Sequence, residues 1–402
     1  MKDQDEDRSG PRAASASQQA RAGIEPPTLL FVVNVGWFFI SHRLPLARAA
    51  RAAGYDVHVL TEVHTPQEAA VIEDAGLVLH HLPGNRGGLN PLADLGYFLR
   101  LLMRMRKVAP ALVHNVTVKP VLYGTLAARL LGIRAIVNSI SGLGYVFTGK
   151  SRRLLAALVI SAYRWILRRP HIRVIVQNED DAWLLESKGA IHRQQVMLIR
   201  GAGVDLQIYS APPEPSTAVP LVVFPARILK DKGVLEFIAA AKLLLERGCK
   251  ARFVLAGPVD PYNPAALSAE ALERLLSGTS IEWLGQVDDM PQLYGRANIV
   301  CLPSYREGMP KALLEACAAA RAIVTTDVPG CRDVVTHEEN GLLVPVRDER
   351  ALADALQRLI EDSELRRRLG SAGRRRAEQE FDLKIILRQT LQLYRQALEP
   401  TR

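Results

Sequence analysis

From residue 29 onward, short apolar runs rich in Val, Ile and Leu alternate with amphipathic stretches long enough to form helices. Runs at 29–35, 57–61, 77–82, 112–115, 135–138 and 174–177, the first two separated by a helical stretch near 44–53, set up a βαβ rhythm. Such a rhythm predicts parallel sheets covered by helices on both faces. Between residues 205 and 220 it stops, because Pro212, Pro213, Pro215 and Pro220 deny both helix and central strand. It then restarts with runs at 221–224, 251–256, 281–284, 299–302, 322–325 and 342–344 and a helical stretch near 234–246. Two charged amphipathic stretches near 349–361 and 364–380 precede 383–398, where Leu and Ile recur at helical spacing and leave an apolar stripe to bury. The expected division is a tail over 1–27, a first α/β domain over 28–205, a linker over 206–219, a second α/β domain over 220–380 and a final helical segment over 381–402. Two such domains form a cleft facing the carboxyl ends of their strands, where open α/β sheets bind ligands.

The length of 402 residues exceeds what one hydrophobic core organises, and 48% apolar residues can fill two. Residues 1–27 carry few large apolar side chains to offset ordering entropy and read as disordered. Cys249, Cys301, Cys317 and Cys331 form no CxxC or Cys/His pattern, which argues against a zinc site or disulfide framework and fits a reducing cytoplasm. No signal-peptide pattern opens the sequence, and the run at 29–35 is too short to span a bilayer, so a location inside the cell is expected. The net charge of +9 invites nucleic acid, an anionic membrane or a phosphorylated substrate. No aromatic-and-basic RNA motif, zinc finger or basic zipper is evident, which sets nucleic acid aside. Arginines are interleaved with apolar residues at 99–107 and 151–169. That pattern suits a membrane surface, or a core helix whose arginines snorkel at its solvent edge.

The chemistry-bearing motifs follow strands. YREGMPKALLEA, residues 305–316, comes after the run at 299–302 and opens a helix. Glu307 falls in the loop and Glu315 about one and a half turns inside the helix, so both can point toward one end of the cleft. Gly308 permits close approach of backbone amides, Met309 lies between it and Pro310, and Pro310 suits a first helical turn. Free amides and the helix dipole favour phosphate, and a neighbouring carboxylate accepts bonds from sugar or ribose hydroxyls. PARILKDKG, residues 225–233, follows the first strand of the second domain. Arg227 offers a planar fork to phosphate oxygens, Lys232 a compact charge, and Gly233 lets a helix begin close to the ligand. Asp288 and Asp289 resemble a metal-binding pair but precede MPQLY, where Asp is a common helix cap.

These motifs, together with FVLAG (253–257), IEWLGQ (281–286), TTDVPG (325–330), NGLLV (340–344) and RGAGVD (200–205), give the chain a resemblance to family-4 retaining glycosyltransferases of the two-domain GT-B type, extending over residues 28–398. The resemblance implies that Arg227 and Lys232 bind the donor diphosphate, Glu307 faces the transferred sugar, Glu315 holds the nucleotide ribose, and the segment 383–398 crosses back onto the first domain. It implies a UDP-linked donor, same-face attack with retention, and neither metal nor other cofactor. The first domain, through VNVGWFFISHR from residue 33, LVHNVTVKP from 112 and NSISGLGYVF from 138, resembles a branch that extends sugars on undecaprenyl diphosphate, adding N-acetylgalactosamine or another hexose. A lipid-linked saccharide at the inner face of the membrane is then the expected acceptor. His114 is expected at a strand end beside the transferred sugar, and Gly36, His42, Arg43 and Lys119 are candidates to meet the acceptor. Gly36 stands alone, followed by Trp37 and Phe38, where the family often has paired glycines. A nucleotide-sugar epimerase of the same architecture, or a noncatalytic lipid-diphosphate-binding module, are the rival readings.

Overall fold

The computed structural model describes residues 26–84, 91–142 and 153–399, so the tail expected over 1–27 lies outside the described residues but for its last two. The first sheet contains β1 (Thr28–Val35), β2 (Asp56–Glu62), β3 (Val78–His81), β4 (Leu112–Val116), β5 (Ala135–Ile140), β6 (Ile172–Val176) and β7 (Val196–Leu198). Its order is β3-β2-β1-β4-β5-β6-β7, with every pair parallel. Between the strands run α1 (Gly36–His42), α2 (Leu44–Ala52), α3 (Pro66–Asp74), α4 (Pro91–Val108), α5 (Val118–Leu130), α6 (Arg153–Leu167) and α7 (Glu179–Ser187). The second sheet contains β8 (Leu221–Phe224), β9 (Arg252–Leu255), β10 (Glu282–Trp283), β11 (Ile299–Leu302), β12 (Ala322–Thr326) and β13 (Leu342–Val344), in the parallel order β10-β9-β8-β11-β12-β13. Its helices are α8 (Val234–Glu246), α9 (Ala269–Leu276), α10 (Met290–Arg296), α11 (Lys311–Ala318), α12 (Glu349–Glu361) and α13 (Ser363–Arg376). A last helix, α14 (Leu383–Leu398), ends the described chain.

Helix starts follow local chemistry. The side chains of Thr65, Asn178, Ser268, Asp289, Asp348 and Asp362 each accept a first-turn N–H, a cap that contributes about 1 kcal/mol. Asp289 is thus engaged by the Gln292 amide at 2.9 Å. Strand β1 shows why the sheet must be covered twice. Leu29, Phe31 and Val33 pack into one apolar cluster, while Leu30 and Val32 enter another on the opposite face. The first of these clusters also takes Ile386, Leu393 and Tyr394 of α14, so the last helix buries its apolar stripe against the first sheet. The return is fixed by backbone bonds between Val204 and the residues Phe381 and Leu383, at 2.9 and 3.0 Å.

In both sheets the strand order reverses at the centre, between β1 and β4 and between β8 and β11. A crevice forms beyond the carboxyl ends of strands at such a reversal. The loops leaving β1, β8 and β11 are therefore the ones placed to hold a ligand.

Candidate active site

Those three loops meet. A cavity of about 300 Å³ is lined from the first domain by Trp37, Phe38, His42, Ser141 and Gln177, and from the second by Pro225–Arg227, Lys232, Glu307–Pro310 and the first turn of α11. Arg227 follows β8, and its guanidinium lies 2.5 Å from Asp260 Oδ2 and 5.2 Å from the centre of the Trp37 ring. Lys232 closes the short turn before α8. Its Nζ reaches Glu307 Oε1 at 2.5 Å, and Ser304 Oγ donates to the same oxygen at 2.7 Å. Gly233, at φ +78°, begins α8 where an added Cβ would lie 2.1 Å from Pro303 O, so only glycine brings this turn against the β11 loop.

The cavity wall thus carries Arg227, Lys232 and Lys311, each paired with a carboxylate, Asp260, Glu307 and Glu315 in turn, and a diphosphate entering the cavity can compete for all three cations. Met309 and Pro310 line it just ahead of α11, whose N-terminal end adds a favourable dipole. Pro310 caps α11 rather than sitting inside its first turn. Gly308 has a use the sequence did not reveal. An added Cβ there would come within 2.5 Å of Gln177 Oε1 and 2.6 Å of Ser141 O, so its smallness allows the first domain to touch this loop.

Glu315 lies within α11. It is nearly buried, bonds Lys311 Nζ at 3.1 Å and lies against Tyr209 and Tyr294, whose hydroxyls are pushed up by burial and by this carboxylate.

His114 is also corrected. It sits at the centre of β4 rather than at a strand end and is 1% exposed. Its Nδ1 is 2.5 Å from the Tyr394 hydroxyl and its Nε2 2.6 Å from Ser139 Oγ. Burial, with Arg43 nearby, holds the ring well below the usual histidine range, so it is a neutral strut between the first sheet and α14. Lys119 starts α5 and pairs with Asp94 of α4 at 2.8 Å, away from the cavity lining. Gly36 begins α1, where a Cβ would lie 2.8 Å from Glu68 Oε2; its neighbours Trp37 and Phe38 supply the wall instead.

His42 and Arg43 lie between the cavity and this strut. His42 stacks on Phe38 at 4.3 Å and is pushed down to about 3 by burial and by Lys311, Arg43 and Lys232. Arg43 is buried, with contacts of 3.4 Å to Ser141 Oγ and the His42 carbonyl. Its Nε has no partner among the described residues, and burial lowers the guanidinium to about 10. Sequence reasoning missed Trp37, Ser141, Gln177, Asp260 and Lys311 as site residues. Only the Trp37-for-glycine departure carried a signal.

Two parallel-sheet domains with a cavity lined by cations between the carboxyl ends of their strands have the GT-B architecture. Residues 28–178 match the glycosyl transferase 4-like family model, and residues 209–376 match glycosyl transferases group 1. The chain belongs to these glycosyltransferases. It is 28% identical over 378 residues to the N,N'-diacetylbacillosaminyl-diphospho-undecaprenol alpha-1,3-N-acetylgalactosaminyltransferase of Campylobacter jejuni, covering 90% of this chain and 97% of that protein. It is 23% identical to the UDP-Gal:alpha-D-GlcNAc-diphosphoundecaprenol alpha-1,3-galactosyltransferase of Escherichia coli, over 68% of this chain and 72% of that one. Among solved structures, Anabaena HepE in complex with UDP and glucose superposes with a TM-score of 0.73 at 17% identity, covering 92% of this chain and all of that one.

Proposed function

We propose that this enzyme transfers a hexose or N-acetylhexosamine, with retention, from a UDP-linked donor to a saccharide carried on undecaprenyl diphosphate. The observation that carries the reading is the convergence of Arg227, Lys232 and Glu307 on one cavity whose opposite wall comes from the first domain. The two relatives named for transfer to undecaprenyl-diphosphate-linked sugars support the acceptor class. Without donor, Lys232 and Glu307 neutralise each other. The arriving diphosphate takes Lys232 and releases Glu307 to accept bonds from sugar hydroxyls. The bond from the anomeric carbon to the phosphate oxygen breaks as the acceptor oxygen attacks on the same face, and the acceptor's proton passes to the departing phosphate. Arg227 and Lys232 stabilise the charge that grows there, a contribution of several kcal/mol in comparable sites. These fixed cations take the part that a divalent ion plays in other transferases. Glu315, exchanging Lys311 for the nucleotide, holds the ribose, and His42 with Arg43 meets the acceptor diphosphate.

The acceptor's lipid requires a membrane surface, and one face of the first domain supports that role. Helix α5 packs between α4 and α6 on the same side of the sheet. Leu92, Leu95, Leu99 and Met103 of α4 form an exposed apolar stripe flanked by Arg100, Arg104, Arg106 and Lys107, and Leu158 and Trp165 are exposed on α6. Residues 151 and 152, which open the second basic segment, lie outside the described residues. No helix among the described residues is long and apolar enough to cross a membrane. A basic, partly apolar face docks reversibly on anionic lipid. The test of the whole reading incubates the protein and membranes with a panel of UDP- and GDP-sugars and follows lipid-linked product by mass spectrometry. A product one sugar heavier, formed from one donor, is expected; no elongated lipid with any donor contradicts the reading.

A further inference from the structure

Arg306 directly precedes Glu307, and its guanidinium does not enter the donor cavity. It crosses to the first domain and bonds the carboxylate of Asp181 in α7. Asp181 is fully buried. Asn178 holds it from beneath, accepting the Asp181 amide at 2.7 Å and donating to Asp181 Oδ2 at 3.2 Å. The same Asn178 amide group donates at 2.7 Å to the carbonyl of Gly308, on the other side of Glu307. The backbones also meet: Gly142, at φ +101°, would place a Cβ 2.7 Å from Gly308 N. First-domain groups therefore grip the residue before Glu307 and the residue after it. Separating the domains would break the grip and leave the buried Asp181 carboxylate without Arg306, a costly loss for a charge held away from water.

We propose that Asp181 is a positioning residue: acting through Arg306, it fixes Glu307 against the first-domain wall and makes productive sugar placement depend on domain closure. The inference rests on the glycosyl-transfer reading for what Glu307 contacts. Closure has a separable signature, because the residues assigned to the nucleotide diphosphate and ribose, Arg227, Lys232 and Glu315, all lie in the second domain. An open enzyme can still bind nucleotide but holds the sugar loosely against the acceptor, and small misplacements at a reacting centre cost rate steeply.

The test measures kcat and KM with donor and lipid-linked acceptor, UDP affinity by calorimetry, and thermal unfolding, for Asp181→Asn, Arg306→Met, their double variant and Arg306→Lys. Expected are a fall in kcat of about 10-fold or more in both neutral variants with UDP affinity changed less than about twofold, a double variant no worse than either single, and substantial recovery in Arg306→Lys. If Asp181→Asn does not fold, Arg306→Met, on a partly exposed loop, decides alone. Unchanged kcat in a folded variant, or UDP affinity falling in step with kcat, overturns the positioning role while parental turnover keeps the transferase reading intact. A parent inactive with every donor overturns both.

Discussion

At the residue scale, the proposed mechanism has the donor open the ion pair between Lys232 and Glu307, so on that proposal charge at these two positions governs turnover more than affinity. Arg227→Ala and Lys232→Ala are expected to lower kcat by about 100-fold or more, as loss of one charge-stabilising group does in comparable sites; steady-state kinetics checks this. Glu315→Gln is expected to weaken UDP binding by about 10-fold, the worth of a hydrogen bond to a charged group, with a smaller effect on kcat. Calorimetry showing parental affinity would remove Glu315 from the ribose. The histidines make a separate prediction about pH. His42 is held near 3 against 6.5 when unfolded, and His114 is shifted in the same direction. Between these values the unfolded chain binds protons that the native state refuses, so stability falls as pH drops below about 6.5, by at most about 1.4 kcal/mol per pH unit for each histidine. Thermal unfolding should show a lower midpoint at pH 5 than at pH 7, and His42→Gln should shrink the difference. Arg227, Lys232 and Glu307 were legible in sequence because each follows a strand within a dense motif. Asp181, Ser141 and Gln177 were not, since they acquire a role only by facing a loop more than 100 residues away.

At the element scale, period and composition carried most of the strands: the run at 299–302 is β11, and that at 342–344 is β13. The marginal case was β10, where only Glu282 and Trp283 pair at the sheet edge although four residues read as strand. Edge position is a tertiary fact that a local pattern does not contain. His114 failed for a related reason. Its strand was read correctly, but the helix that covers it is 280 residues downstream. Gly233, by contrast, showed its function locally, and Gly233→Ala is expected to cost more than about 1 kcal/mol, because alanine must hold φ +78° and press on Pro303. A midpoint unchanged in thermal unfolding would contradict that geometry. The basic face of α4 makes the second element-scale prediction. Replacing Arg100, Arg104, Arg106 and Lys107 with Gln removes charges worth about 1 kcal/mol each at an anionic surface. Co-sedimentation with phosphatidylglycerol vesicles should then fall steeply while UDP affinity stays parental. Undiminished sedimentation would assign α4 to ordinary solvent exposure.

At the scale of the whole molecule, the second domain is tied to its surroundings at two levels. Residues before β8 are pinned to it, with Arg366 2.5 Å from Glu214 and Arg321 donating to Pro212 O at 2.7 Å. The chain then returns through α14 to the first sheet, and Val204 of the outgoing chain bonds the start of that return. The facing loops of the two sheets meet at the cleft, cations from one side and aromatic and polar groups from the other, and the proposed transfer draws on both. The central claim is that this enclosure moves a sugar from a nucleotide to a separate acceptor using Arg227 and Lys232 as the charge stabilisers. Release of nucleoside diphosphate from the productive UDP-sugar, followed in excess chelator with and without lipid-linked acceptor, tests it most directly. The account predicts release that requires acceptor, persists in chelator and is lost in Lys232→Ala; release without acceptor, or undiminished release in Lys232→Ala, contradicts it.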